Sequence, residues 1–243
     1  MVTAQQTVAP DGGFVLGVLG ASGGVGASAL ATACATRAAR AGRDVVLVDA
    51  RPWSGGIDVL AGLDAAPGLR WPDLAGVRGD VDPQRLLEEL PVSEIGFRCL
   101  SWAAGALQGQ VPGPDPVLSA LRLAAAVTVV DLPGPASAGG QEPWWVACDE
   151  LVLVVDASMT GLGAAIVLAE ACSPTGVVLR TPTHLAEEEI VTVVGAPLLA
   201  CLEHDRAVTR CLEQGAPVGD QHGGLADAAD RLLSAVLPGL RAA

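Results

Sequence analysis

An apolar strand-length run that leads straight into Gly20-Ala-Ser-Gly23-Gly-Val-Gly26-Ala-Ser28 is the feature that most limits the folds open to this chain. Phe14-Val-Leu-Gly-Val-Leu19 reads as a buried strand, and Ser28 to Ala41 as an Ala-rich helix ended by Gly42. Val45-Val-Leu-Val48, closed by Asp49, is a second β-branched run of the kind found in parallel sheets. Strand, glycine loop, helix, strand is the opening of a βαβ unit. A loop of this type cradles phosphate because successive backbone N–H groups can point at its oxygens. The same chemistry calls for a Lys to neutralise the β and γ phosphates and a Ser or Thr hydroxyl for magnesium. Gly23, Gly24, Val25, Gly26, Ser28 and Ala29 fit such a cradle, but Ala27 stands where the Lys belongs. The chain contains no lysine anywhere.

The rest of the sequence continues the alternation. Residues 1–13 read as a flexible leader and 14–243 as one domain. From Arg51 to Pro114 the chain is rich in Gly and Pro. A helix is expected there over Asp82 to Leu90, with Asp82 capping and Pro83 in the first turn, then a short strand over Phe97 to Ser101. A helix over Asp115 to Ala125 precedes strands over Val127 to Val130 and Leu151 to Val155, which end in Asp131-Leu-Pro-Gly134 and Asp156. Helices over 162–172, 185–194 and 204–214, strands over 176–180 and 198–202, and a last helix within 224–237 follow. This pattern predicts an α/β fold, a mostly parallel sheet with helices on both faces. Ligands of such sheets sit at the carboxyl ends of the strands, where the loop, Asp49 and Asp131 converge.

Composition narrows the function. With 27 Asp and Glu against 14 Arg, the net charge of −13 repels phosphate backbones, so nucleic acid is not an expected partner. The six Cys carry no C-x-x-C spacing and only three His are present, which argues against zinc. Cys34 and Cys201 lie inside apolar stretches, as buried free thiols in a reducing cytoplasm would. The apolar runs fall short of the ~20 residues that span a bilayer.

Two readings of the loop compete. Gly20, Gly23 and Gly26 also spell G-x-x-G-x-x-G, Asp49 lies near the spacing of a ribose-binding acid, and Arg51 could meet a 2′-phosphate. A short-chain dehydrogenase would need a Tyr and Lys pair, and both residue types are missing, so this alternative is a non-catalytic NAD(P)-binding module of Rossmann type. The phosphate-cradle reading explains more residues. Phe14 to Ala31, Val45 to Asp58, Val127 to Gly134, Leu151 to Ser158 and Val177 to Pro182 resemble the successive motifs of the MinD/ParA class of deviant Walker ATPases, a SIMIBI/MinD-like P-loop NTPase architecture. Leu69-Arg-Trp-Pro-Asp-Leu74 and the stretch Ala196 to Pro217 resemble its CpaE-like branch, which includes septum site-determining Ssd proteins and TadZ pilus-localisation proteins.

That resemblance implies a nucleotide site with parts replaced. Ser22 and Ala27 occupy the two lysine positions, Ala21 replaces the leading Gly, and Asp49-Ala50-Arg51 puts a cation where the class has a second acid. Ser28, Asp49 and Asp131 keep the residue types of a magnesium site. Losing two charge-assisted contacts removes about 3–6 kcal/mol, or ~10²–10⁴ in affinity. The expectation is a pseudo-ATPase with weak ATP or ADP and Mg binding at most, Arg51 being the one candidate for a substitute cation. The implied partners are proteins, a Tad-type secretion ATPase or division machinery, with a homodimer among the implied assemblies. The implied location is the cytoplasm, with recruitment to pole or septum and only indirect membrane contact. The branch often carries an N-terminal receiver-like domain, which is not expected within these residues.

Bland roles are expected beside these. Asp49 and Asp131 can cap the turns that follow them, and Ser28 suits a helix start whatever it binds. Core packing is expected for Trp71 and Trp102, and an exposed interface anchor for Trp144 or Trp145, with Trp53 near the second strand. The last helix, with Leu225, Leu232, Leu233, Val236, Leu237 and Leu240, is expected to pack on the sheet rather than on a membrane.

Overall fold

Seven aliphatic runs pair into one parallel sheet in the computed structural model, which describes residues 12–52, 55–77, 79–102, 114–134, 142–182 and 186–237. The strands are β1 (Phe14–Gly20), β2 (Val45–Asp49), β3 (Arg98–Leu100), β4 (Val127–Leu132), β5 (Glu150–Asp156), β6 (Gly176–Arg180) and β7 (Leu198–Leu202). The helices are α1 (Ala27–Arg40), α2 (Ile57–Leu60), α3 (Trp71–Leu74), α4 (Pro83–Glu89), α5 (Pro114–Ala124), α6 (Glu142–Val146), α7 (Met159–Cys172), α8 (Glu187–Val194), α9 (Arg206–Gln214) and α10 (Gly224–Val236). The strand order is β3-β2-β4-β1-β5-β6-β7. β4 therefore lies between β1 and β2, whereas in a Rossmann sheet those two strands are neighbours. The dinucleotide-binding alternative is corrected at the level of topology.

Both faces of the sheet are buried, which is why its strands read as continuous apolar runs rather than alternating ones. Val15 and Leu19 of β1 join one core with Leu121 of α5, Leu162 of α7 and Ile190 of α8. Leu16 and Val18 join the other, with Leu30 and Cys34 of α1 and Leu225, Leu232 and Leu233 of α10. The last helix thus packs against the sheet and α1, as expected, and Arg37 at the C-terminal end of α1 pairs with Asp230 of α10 at 2.8 Å. Leu240 lies outside the described residues, as do residues 1–11 of the leader and Trp53. Among the described residues no helix is long and apolar enough to cross a membrane.

Local chemistry sets the helix starts. Asp82 accepts a hydrogen bond from the Arg85 N–H at 2.8 Å, with Pro83 in the first turn. Asp205 caps α9 through the Ala207 N–H at 2.8 Å and also accepts from the Leu225 N–H at 3.0 Å, so one carboxylate anchors α9 and the start of α10.

The described part of the Gly- and Pro-rich stretch from Arg51 to Pro114 is organised by two buried side chains. Arg70 is 8% exposed and donates to the carbonyls of Leu63 and Ala66, each at 3.0 Å. Trp71 is fully buried, stacks on Trp102 with ring centroids 6.0 Å apart, and meets Trp144 edge-on at the same separation. The interface-anchor expectation fails here: Trp144 is 4% exposed and Trp145 is packed partly buried against the same core. A short helix, not an extended strand, carries the pair, so the alternation that would expose one of them does not apply. Val146, the last residue of that helix, is exposed. Trp144→Ala should therefore cost about 3–5 kcal/mol of stability. A fall in Tm of roughly 6–20 °C by thermal unfolding is the expected result, and an unchanged Tm would contradict the packing.

Candidate functional site

The glycine loop leaves the end of β1 and turns into α1 through two residues in the left-handed region, Gly24 at φ 75° and Gly26 at φ 100°. That conformation suits glycine because it has no Cβ. Nothing lies within 4 Å of where a Cβ on Gly23 or Gly24 would sit, so the top of the loop is open. A Cβ on Gly26 would come within 3.1 Å of both Arg180 and Leu202, so the far side of the loop is closely covered. The loop lines a cavity of about 440 Å³ together with Arg51, Leu132 and Gly134. Gly23, Gly24, Val25, Gly26, Ala27, Ser28 and Ala29 all belong to that lining.

Ala27 and Ser22, where the resemblance implied lysines, are placed in different ways. Ala27 is 6% exposed and belongs to the core beneath α1. Ser22 donates its hydroxyl hydrogen to Asp156 Oδ2 at 2.6 Å, which ties the loop to the end of β5. Burial works to raise the Asp156 carboxyl, but hydrogen bonds from Ser158 and Ser22 outweigh it and hold it below its usual value. The sequence offered Asp156 only as a strand-ending acid, and its bond to Ser22 was not legible because 134 residues separate them.

Ser28, Asp49 and Asp131 come together at the carboxyl ends of the strands. Asp49 and Asp131 are register partners on adjacent parallel strands. Asp49 is fully buried, and its two oxygens accept the Arg51 N–H at 2.9 Å and the Ile57 N–H at 3.2 Å. Its backbone carbonyl accepts the Trp71 indole N–H at 2.6 Å, which joins the site to the tryptophan cluster. Asp131 is 1% exposed, and neither carboxylate oxygen has a hydrogen-bond partner within 3.5 Å. The cation beside it is Arg51, whose Nη1 stands 3.6 Å from Asp131 Oδ2 and donates to Ser28 Oγ at 2.6 Å. Burial, reinforced by the neighbouring Asp49 carboxylate, pushes the Asp131 carboxyl up to about 7, with Ser28 and Arg51 pulling the other way.

Comparison with known proteins bears on the fold that carries this arrangement. No protein-family model matches the chain. Two Mycobacterium tuberculosis proteins, Uncharacterized protein Rv3660c of strain H37Rv and Uncharacterized protein MT3760 of strain CDC 1551, are 36% identical to it over 246 residues. The match covers 98% of this chain and 68% of theirs. The chain belongs to their family. Among solved structures, the septum site-determining protein MinD of Pyrococcus horikoshii, complexed with Mg-ADP, is 19% identical with a TM-score of 0.76, covering 94% of this chain and 98% of that one. A ParA family ATPase from Chlorobium tepidum is 21% identical with a TM-score of 0.75, covering 89% and 96%. MinD in the MinC:MinD complex of Aquifex aeolicus is 19% identical with a TM-score of 0.71, covering 93% and 98%. The fold is thus that of the MinD/ParA P-loop ATPases, and the all-parallel order is the expected α/β architecture.

The residues present fit a metal-bound nucleotide poorly. Both oxygens of Asp49 already serve backbone N–H groups, and a guanidinium stands between Ser28 and Asp131. Ala27 offers no charge, and Ser22 is engaged by an acid. The acids near the loop, Asp49, Asp131 and Asp156, outnumber the cations Arg51 and Arg180, the latter reaching the Val25 carbonyl at 3.4 Å. Arg51 therefore points at Ser28 and Asp131, not at Ser22 or Ala27.

The raised Asp131 carboxyl makes stability depend on pH in a definite direction. A carboxyl that holds its proton more tightly when folded contributes fully below its unfolded value of 3.8, and that contribution is lost as pH rises to about 7. Asp131→Asn abolishes the titration. In thermal unfolding, the Tm of the variant relative to the wild type should rise steadily from acidic buffer towards pH 8, whereas a constant difference would rule out the raised carboxyl.

Proposed function

We propose that this protein is a CpaE/Ssd-like pseudo-ATPase, a MinD/ParA-type domain that helps position septum or Tad/Flp pilus-secretion machinery through protein contacts. The observation that carries this reading is the lysine-free cradle, in which Ala27 is packed into the core and Ser22 is tied to Asp156. Phosphoryl transfer depends almost entirely on positioning and charge stabilisation. A cradle without either cation keeps the shape of the reaction site and lacks the means to lower the barrier. On this reading ATP or ADP binds weakly or not at all, and the degenerate phosphate loop serves the architecture of the strand-to-helix turn.

Action through partners is supported by the fold neighbour solved as a MinC:MinD complex. Here the partner is proposed to be a Tad-type secretion ATPase or a component of the division machinery, met in the cytoplasm at a pole or septum. The class that this chain resembles forms an ATP-sandwich dimer in which a first Lys reaches the partner subunit's nucleotide; Ser22 stands at that position here, so any self-association would not be held by nucleotide in that way.

Turnover and binding test the proposal. Inorganic phosphate release from ATP should stay at background, and calorimetry should find millimolar or no affinity for ATP, ADP, NADH and NADPH. ATPase activity above background that is lost in Ser28→Ala or Asp131→Ala would overturn the pseudo-ATPase, and tight binding of a nicotinamide nucleotide would overturn the family assignment of the site.

A further inference from the structure

We propose that Arg51 is a built-in replacement for a divalent metal, so that this cradle is a metal-independent site held together by the protein's own cation. The inference rests on reading the loop as a phosphate cradle, and it assigns a specific chemistry to one change in that cradle. Its guanidinium donates to Ser28 Oγ at 2.6 Å and stands 3.6 Å from the buried Asp131 carboxylate. A hydroxyl at the start of α1 and a carboxylate at the end of β4 are the two oxygen donors that a hard divalent cation would bridge. Here a single guanidinium nitrogen lies by both. The Arg51 N–H is itself held by Asp49 at 2.9 Å, which anchors the backbone of this residue just beyond the end of β2.

Charge explains why the two occupants exclude each other. Asp49 and Asp131 are adjacent, buried and both acidic, and the guanidinium beside them offsets part of their repulsion. A magnesium ion entering between Ser28 and Asp131 would have to displace that cation or sit against it, and a dication next to a guanidinium is repelled at close range. Arg cannot yield by losing its proton. Arg51 is thus a positioning residue: it ties α1, β2 and β4 together permanently, where a metal would do so only when bound.

Mn²⁺ alone, followed by electron paramagnetic resonance on the whole chain without nucleotide, gives the direct test. Wild-type protein should leave the Mn²⁺ spectrum unchanged, and its Tm should be the same in millimolar Mg²⁺ and in EDTA. Stoichiometric Mn²⁺ binding by the wild type, displaced by Mg²⁺, would overturn the assignment. Arg51→Ala should lower Tm by roughly 3–10 °C, and either added Mn²⁺ or a second substitution, Asp131→Asn, should restore part of it. Arg51→Met keeps the aliphatic stem and reads the loss of charge if the alanine variant does not fold. A variant as stable as the wild type, or one that neither rescue improves, would show that the side chain serves packing alone and would overturn the proposal. Because no nucleotide is present, these outcomes are separate from ATP turnover: the metal-free assignment can fail while turnover stays at background, and the reverse also holds.

Discussion

A parallel sheet buried on both faces leaves its polar chemistry to the strand ends, and the arrangement of this protein follows from that constraint. Along the strands there is little room for anything but aliphatic side chains, since each residue faces one core or the other. Where β2 and β4 stop, two carboxylates emerge side by side with almost no water to screen them. Asp49 is accommodated by backbone N–H groups of the loop that follows it. Asp131 has no such donors, and the neighbouring Arg51 is its nearest offset. The tryptophan cluster, the turn into α2 and the base of α1 all connect to this pair.

The polar residues around the cradle form a connected set rather than independent contacts. With no lysine near the loop, three acids stand at the strand ends, and each has its own local partner. Ser22 binds Asp156, Arg51 lies against Asp131, and the loop backbone takes Asp49. The cavity persists because the strand-to-helix turn needs positive-φ glycines at Gly24 and Gly26, which is a requirement of geometry independent of any ligand.

Much of the fold was legible in the sequence because buried parallel strands announce themselves as uninterrupted aliphatic runs. β1, β2, β4, β5, β6 and β7 fall where those runs lie, and Asp82 with Pro83 marked the start of α4. The convergence of Ser28, Asp49 and Asp131 was also legible, since acids at strand ends meet whenever the strands are neighbours. The short helices α2, α3 and α6 were not, because four or five residues carry no periodicity and these turns are fixed by Arg70, Asp49 and the tryptophans from a distance. The role of Arg51 was only half legible: its charge was plain, but that it faces the hydroxyl of Ser28 and the acid Asp131 depends on neighbours brought together by the sheet from 23 and 80 residues away.

The indole of Trp71 has a further consequence. It donates to the Asp49 carbonyl while touching Trp102 and Trp144, so a ring at the centre of one core is in direct contact with the end of the strand that carries the site. With five Trp and no Tyr in the chain, the near-ultraviolet optical signal of this protein comes from indoles with only a small contribution from two Phe. The molecule therefore carries its own spectroscopic probe at the base of the cradle, placed where rearrangement of the β2 end would alter both the hydrogen bond to the ring and the coupling between neighbouring chromophores.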